Sequence, residues 1–179
     1  MEKFDAFVQK LSKSRMFICL EFVQKSVLVA AGAAVFLLTI VTVFLRYILK
    51  INVMGLDEII LVVIFWMYFF GAAQGSKDDS QIKADMIGTI LKNKKIIAVC
   101  HLIARIVECT VIVICIKWSI DYLLKDAAIM PYTVVLAIPL IVSHIAMFFG
   151  FILMMIYHLY WLMAEAAGIV HVMRREETA

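Results

Sequence analysis

His101, Arg105 and Glu108 stand in a stretch, Ile96 to Ile116, that is otherwise almost wholly apolar. Their spacing of i, i+4 and i+7 stacks them on one face of a helix. Ionisable groups at membrane depth face protein or a water-filled cavity and take partners there, so a line of imidazole, guanidinium and carboxylate has two readings. One is a proton or ion pathway, as in a small homodimeric proton-coupled exporter whose working group is an unpaired Glu108. The other is an Arg105 and Glu108 pair at i, i+3 that offsets its own charge and hydrogen-bonds to a neighbouring helix or subunit.

Three further groups bear on chemistry. Arg46, Asp57 and Glu58 flank a short loop, where a cation at one helix end can approach two carboxylates that suit the dipole at the next helix start. They are either solvated loop charges or contacts to a partner. His144 and His158 lie in the last apolar run; His158 and His101 are expected at similar depth, where they serve either as haem ligands or, more simply, in hydrogen bonds between helices. Cys19, Cys100, Cys109 and Cys115 show no metal-ligand spacing and read as small apolar residues. The chain contains no GxSxG, HExxH, P-loop or GxGxxG, so an enzyme is not expected.

The elements that must position these residues follow from composition. Of 179 residues, 65% are hydrophobic and 17% charged, against roughly half and about a quarter in a globular domain. Apolar runs reach the ~20 residues that cross a hydrocarbon core of roughly 30 Å. An all-α integral membrane protein follows, a single membrane domain with spans predicted at about 26–45, 59–76, 96–117 and 132–164. The fourth comes from a charge-free run, Ala127 to Ala164, divided by Pro131 and Pro139. The first span is expected to be retained, since Glu2, Asp5 and Glu21 interrupt any signal-peptide layout.

Residues 1–25 are expected to form a cytoplasmic interfacial arm and 165–179 a cytoplasmic tail. Phe4, Phe7, Val8 and Leu11, and again Met86, Ile87, Ile90 and Leu91 before Lys92, Lys94 and Lys95, suit short amphipathic helices on the inner leaflet, with these lysines on phospholipid headgroups. Twelve lysines and arginines fall on the side of the termini and four on the other, which places both termini in the cytoplasm. The basic residues lie between apolar runs and speak of topology, so no nucleic acid partner is expected. Trp66, Trp118 and Trp161 read as interface anchors, and Gly71-Ala72-Ala73-Gln74-Gly75 as a surface for close helix contact.

Three stretches together, FLRY at 44–47, LDEIILVVIFWMYFFGAAQGSKDDSQIKAD at 56–85 and PYTVVLAIPL at 131–140, resemble the small four-helix membrane subunit, DctQ type, of tripartite ATP-independent periplasmic (TRAP) transporters. The family pattern has an arginine closing the first helix, an acid opening the second, an aromatic and Gly-Ala pattern, then a His-Ile-x-Val-Asp loop motif. Arg46, Glu58, Trp66 with Gly71 and Ala72, and Gln81 to Asp85 occupy those places; Gln81 and Ala84 depart from the commonest form, which leaves no imidazole at position 81. The resemblance implies a bacterial inner-membrane scaffold for a large multi-pass transport subunit. That subunit would bind sodium and take a carboxylate-bearing solute, of C4-dicarboxylate or sialic acid type, from a periplasmic substrate-binding protein. It implies no cofactor in this chain.

Overall fold

A computed structural model describes the backbone of residues 15–51, 53–78 and 94–177, and the side chains of 19–51, 53–78, 96, 97 and 99–166. Among the described residues four helices are present: α1 (Arg15–Tyr47), α2 (Leu56–Lys77), α3 (Lys94–Ile129) and α4 (Ile141–Glu177). Each contains a segment long and apolar enough to cross a membrane, so the chain is an all-α, four-span membrane protein.

The helices stand in a row. α1 packs on α2, α2 on α4, and α4 on α3, which leaves α1 and α3 at the edges. α4 is the most buried of the four and α1 the least. A soluble bundle would close to hide its apolar faces, but lipid tails are as apolar as leucine and exert no such pressure. Small residues and a few interlocking side chains therefore set the contacts. Phe70, Ala73, Ile112, Leu153, Met154 and Tyr157 form the core where α2, α4 and α3 meet. Gly71 lies against Leu28 of α1. Gly150 of α4 lies so close to α2 that a Cβ there would stand 2.6 Å from Phe69 Cβ and 3.2 Å from the Phe69 carbonyl oxygen.

Helix ends differ from the predicted spans, for local reasons. Residues 15–25, expected in an interfacial arm, continue α1 as helix. Glu21 holds this extension by pairing with Lys25 at 2.8 Å and with Lys77 of α2. α3 runs on from the predicted end at 117 to Ile129, where Met130 takes a left-handed conformation and donates its N–H to the Asp126 carbonyl at 2.8 Å. The predicted helix start at 132 is not observed, because α4 begins at Ile141. Pro131 has no N–H with which to extend α3, and residues 131–140 fold as a hairpin-like loop instead. Thr133 N–H bonds to the Ile138 carbonyl at 2.9 Å, Leu140 N–H to the Pro131 carbonyl at 3.0 Å, and left-handed Ala137 makes the turn. Pro139 is the proline that stands at the helix start, its carbonyl accepting from Val142 N–H.

Contacts between helices also set their relative depth. Thr42, Leu45 and Arg46 of α1 share a small cavity with Leu56 and Asp57, the Phe69 and Phe151 rings lie 5.4 Å apart, and Trp161 Nε1–H donates to the Lys77 carbonyl at 3.1 Å. The uncharged stretches 26–45, 59–76 and 141–161 thus lie side by side as one layer. On α3, Arg105 meets α4 at Glu165, Ile112 joins the core with Leu153, and Asp126 meets His144. The contacts of α3 with α4 thus run from Arg105 to Asp126, and its apolar segment, Val99–Ile129, continues beyond the predicted end at 117.

Candidate functional site

Arg105 is 5% exposed and lies at the Lys77 end of the uncharged layer, between α3 and α4. A buried guanidinium needs its charge offset and its five N–H groups directed at acceptors. Nη1 donates to Glu108 Oε2 at 2.9 Å, one turn on along α3. Nη2 donates to Glu165 Oε1 at 3.0 Å, across on α4. His158 Nδ1 stands 3.4 Å from both Arg105 Nη1 and Glu108 Oε2. With Nδ1 bare the ring accepts from Arg105, and with Nδ1 protonated it donates to Glu108. One cation, two carboxylates and an imidazole thus tie α3 to α4. The pairing inside α3 is as the spacing implies, and the neighbour it faces is α4 of the same chain. His101 is half-buried and makes none of these bonds. His158 faces Arg105 and Glu108, not His101, which removes the geometry of a histidine pair.

A second polar group joins α1, α2 and α4. Gln24, 1% exposed, donates through Nε2 to the Phe70 carbonyl at 3.1 Å and accepts at Oε1 from the Tyr157 hydroxyl at 2.7 Å. Removing one member costs the other a hydrogen bond in a buried site, ~1–3 kcal/mol, whereas removing both is milder. Tyr157→Phe and Gln24→Leu are each expected to lower the thermal midpoint in detergent, and the double variant to lie closer to the parent than the two losses added together. A double-mutant cycle by thermal unfolding checks this.

At the other end, Glu58 clamps the 131–140 loop. Its Oε1 accepts from Val135 N–H at 2.8 Å and its Oε2 from Leu136 N–H at 2.9 Å. Gly55 makes room for the clamp: it precedes α2 with φ 107, and a Cβ there would lie 2.8 Å from Leu136 Cγ. Arg46 and Asp57 line a cavity of about 10 Å³, and no ion pair joins Arg46 to either carboxylate among the described residues. A charged acceptor holds a backbone N–H more strongly than a neutral one. Glu58→Ala is therefore expected to speed amide exchange at Val135 and Leu136 by about tenfold or more while α4 amides stay protected. Hydrogen exchange read by mass spectrometry decides it.

Beside this clamp, the buried Asp126 carboxylate pairs with His144 Nδ1 and ties the ends of α3 and α4. Glu165, Gln24, Tyr157 and Asp126 are not marked out by the sequence, whereas His158 is, and it stands in the contact between helices that its simpler reading implies. One signal was available: Glu165 is the first charge after the long uncharged run, and so a natural counter-ion for a cation near that depth. Gln81, Asp85 and Lys92 lie outside the described residues, as do both amphipathic segments; Lys94 and Lys95 open α3, but their side chains are not described. Among the described residues no group of His, Cys, Asp and Glu is arranged to hold a metal ion.

Compared with known families, residues 35–167 match the model described as tripartite ATP-independent periplasmic transporters, DctQ component. No curated protein matches the chain.

Proposed function

The chain belongs to the DctQ-component family of TRAP transporters, and from this premise we propose that it is the scaffold of a sodium-coupled uptake system. In this reading it holds a large multi-pass subunit that binds sodium and a carboxylate-bearing solute, of C4-dicarboxylate or sialic acid type, brought by a periplasmic binding protein. The observation that carries it is the open row. Secondary transporters form their sites from broken helices near the midplane, whereas α1 to α4 each run unbroken between their ends and stand side by side. Such a row offers two broad apolar faces for a partner and lipid. The exporter reading needs an unpaired Glu108, and Glu108 is bonded to Arg105.

The chain is a multi-pass inner-membrane component. We place both termini in the cytoplasm from the excess of lysine and arginine there. The Arg105 cluster then lies toward the cytoplasm with Lys92, Lys94 and Lys95 near anionic headgroups. Arg46, Asp57, Glu58 and the clamped loop face the periplasm, where the binding protein approaches.

Reconstitution tests the proposal. Proteoliposomes holding the large subunit and this chain, with binding protein outside and an inward sodium gradient, are expected to take up solute; omitting this chain is expected to reduce uptake at least tenfold. Undiminished uptake without it overturns the scaffold.

A further inference from the structure

α3 carries a polar face turned away from Arg105, and only its margin, the Tyr122 ring 5.4 Å from the His144 ring, touches α4. Lys117, Trp118, Asp121, Tyr122 and Lys125 follow one side of the helix at i, i+1, i+4, i+5 and i+8. Arg105, Cys109, Ile112, Ser119 and Asp126, the buried residues of α3, occupy the opposite side. Those of the polar face are exposed, Trp118 at 61% and Tyr122 at 52%. Trp118, Asp121, Tyr122 and Lys125 line a groove of about 470 Å³, in which the Lys125 ammonium lies 5.8 Å from the Tyr122 ring centre.

Depth makes this face unusual. Ile112 sits in the core with Phe70 and Leu153, and Asp126 pairs with His144, so residues 117–125 lie between those two levels, beside the uncharged stretches of α2 and α4. Tyr122 and Lys125 stand near the layer's end, by His144 and Asp126, whereas Lys117 and Asp121 lie further in, where lipid tails offer no partner for an ammonium or a carboxylate. Ionisable residues within the membrane face protein or a water-filled cavity.

We propose that this face of α3 is covered by a helix of the large transport subunit that carries carboxylate and hydrogen-bonding groups complementary to Lys117, Asp121 and Lys125. The proposal rests on the scaffold reading above. Charge selects the occupant. A second copy of this chain, inserted in the same orientation and related by a two-fold axis along the membrane normal, would set each residue at the depth of its own counterpart. Lysine would meet lysine and aspartate would meet aspartate. A different chain can place a carboxylate at the lysine levels and a donor at Asp121.

A photoreactive amino acid in place of Tyr122, in the full complex expressed in native membranes, tests this. Illumination is expected to give an adduct with the mass of this chain plus the large subunit. Lys125→Glu, at unchanged membrane levels, is expected to reduce both adduct and copurified large subunit at least fivefold. Adducts only with lipid or with a second copy, while the large subunit still copurifies, overturn the assignment of this face and leave the scaffold standing. Failure of the unmodified chain to copurify with the large subunit at all overturns both.

Discussion

Replacing Arg105 by alanine is expected to destabilise the chain by about 1–3 kcal/mol, less than a fully buried pair broken from one side because Glu108 and Glu165 are part-exposed. Two carboxylates depend on this guanidinium, Glu108 at 2.9 Å and Glu165 at 3.0 Å. Without it no cation among the described residues offsets Glu108 and Glu165 beside His158. Arg105→Ala combined with Glu108→Gln and Glu165→Gln removes both the charge and its demand. The triple variant is expected to recover more than half of the lost thermal midpoint and most of the lost membrane protein level. Measuring both in a mild detergent is sufficient, and equal damage in single and triple variants would show that the cluster is not held by charge pairing.

Gly150→Leu is expected to be as severe for a steric reason. A Cβ at this position already falls 2.6 Å from Phe69 Cβ, and the backbone carbonyl of Phe69 at 3.2 Å cannot move aside as a flexible side chain can. α2 and α4 must separate. That parting loosens the Phe70, Leu153 and Tyr157 core and lengthens the Trp161 bond to the Lys77 carbonyl. Overpacking of this kind costs ~1–3 kcal/mol or more where backbone must shift. The readout is a lower thermal midpoint together with faster exchange of α2 amides, while Gly32→Ala, whose Cβ would meet only Met67 Sδ at 3.9 Å, serves as the mild comparison.

The helices were legible in the sequence because uncharged runs bounded by lysine, arginine and acids are what a bilayer requires. Their ends were less so. Residues 15–25 carry Glu21 and Lys25, which read as an arm, but these charges pair with each other and with Lys77 and so sit on a continuous helix. Pro131 and Pro139 divide the last uncharged run and the sequence reading starts the helix after Pro131, but the hydrogen bonds of the hairpin make Pro139 the proline that opens it. The C-terminal extent of α3 is hidden for a related cause. Lys117 reads as the end of a span, whereas the helix continues to Ile129 and packs on α4 through Asp126.

Half of the candidate site was visible. Arg105 and Glu108 are three residues apart, so their pairing follows from helix geometry alone. His158 and Glu165 lie 53 and 60 positions further on, and linking them to Arg105 requires knowing that α3 packs on α4. Gln24 stands next to Lys25 and reads as a juxtamembrane polar residue; its burial depends on Phe70 and Tyr157 reaching it from two other helices. Glu58 was singled out for its place at a helix start, yet its side chain serves the 131–140 loop instead of Arg46.

Native mass spectrometry of the complex purified from its own operon through a tag on this chain tests the central claim most directly. The scaffold account predicts one dominant species holding one copy of this chain and one large multi-pass transport subunit, with no homodimer of this chain. A preparation in which this chain flies only as a monomer or homodimer, with the large subunit expressed but absent from the eluate, would contradict it.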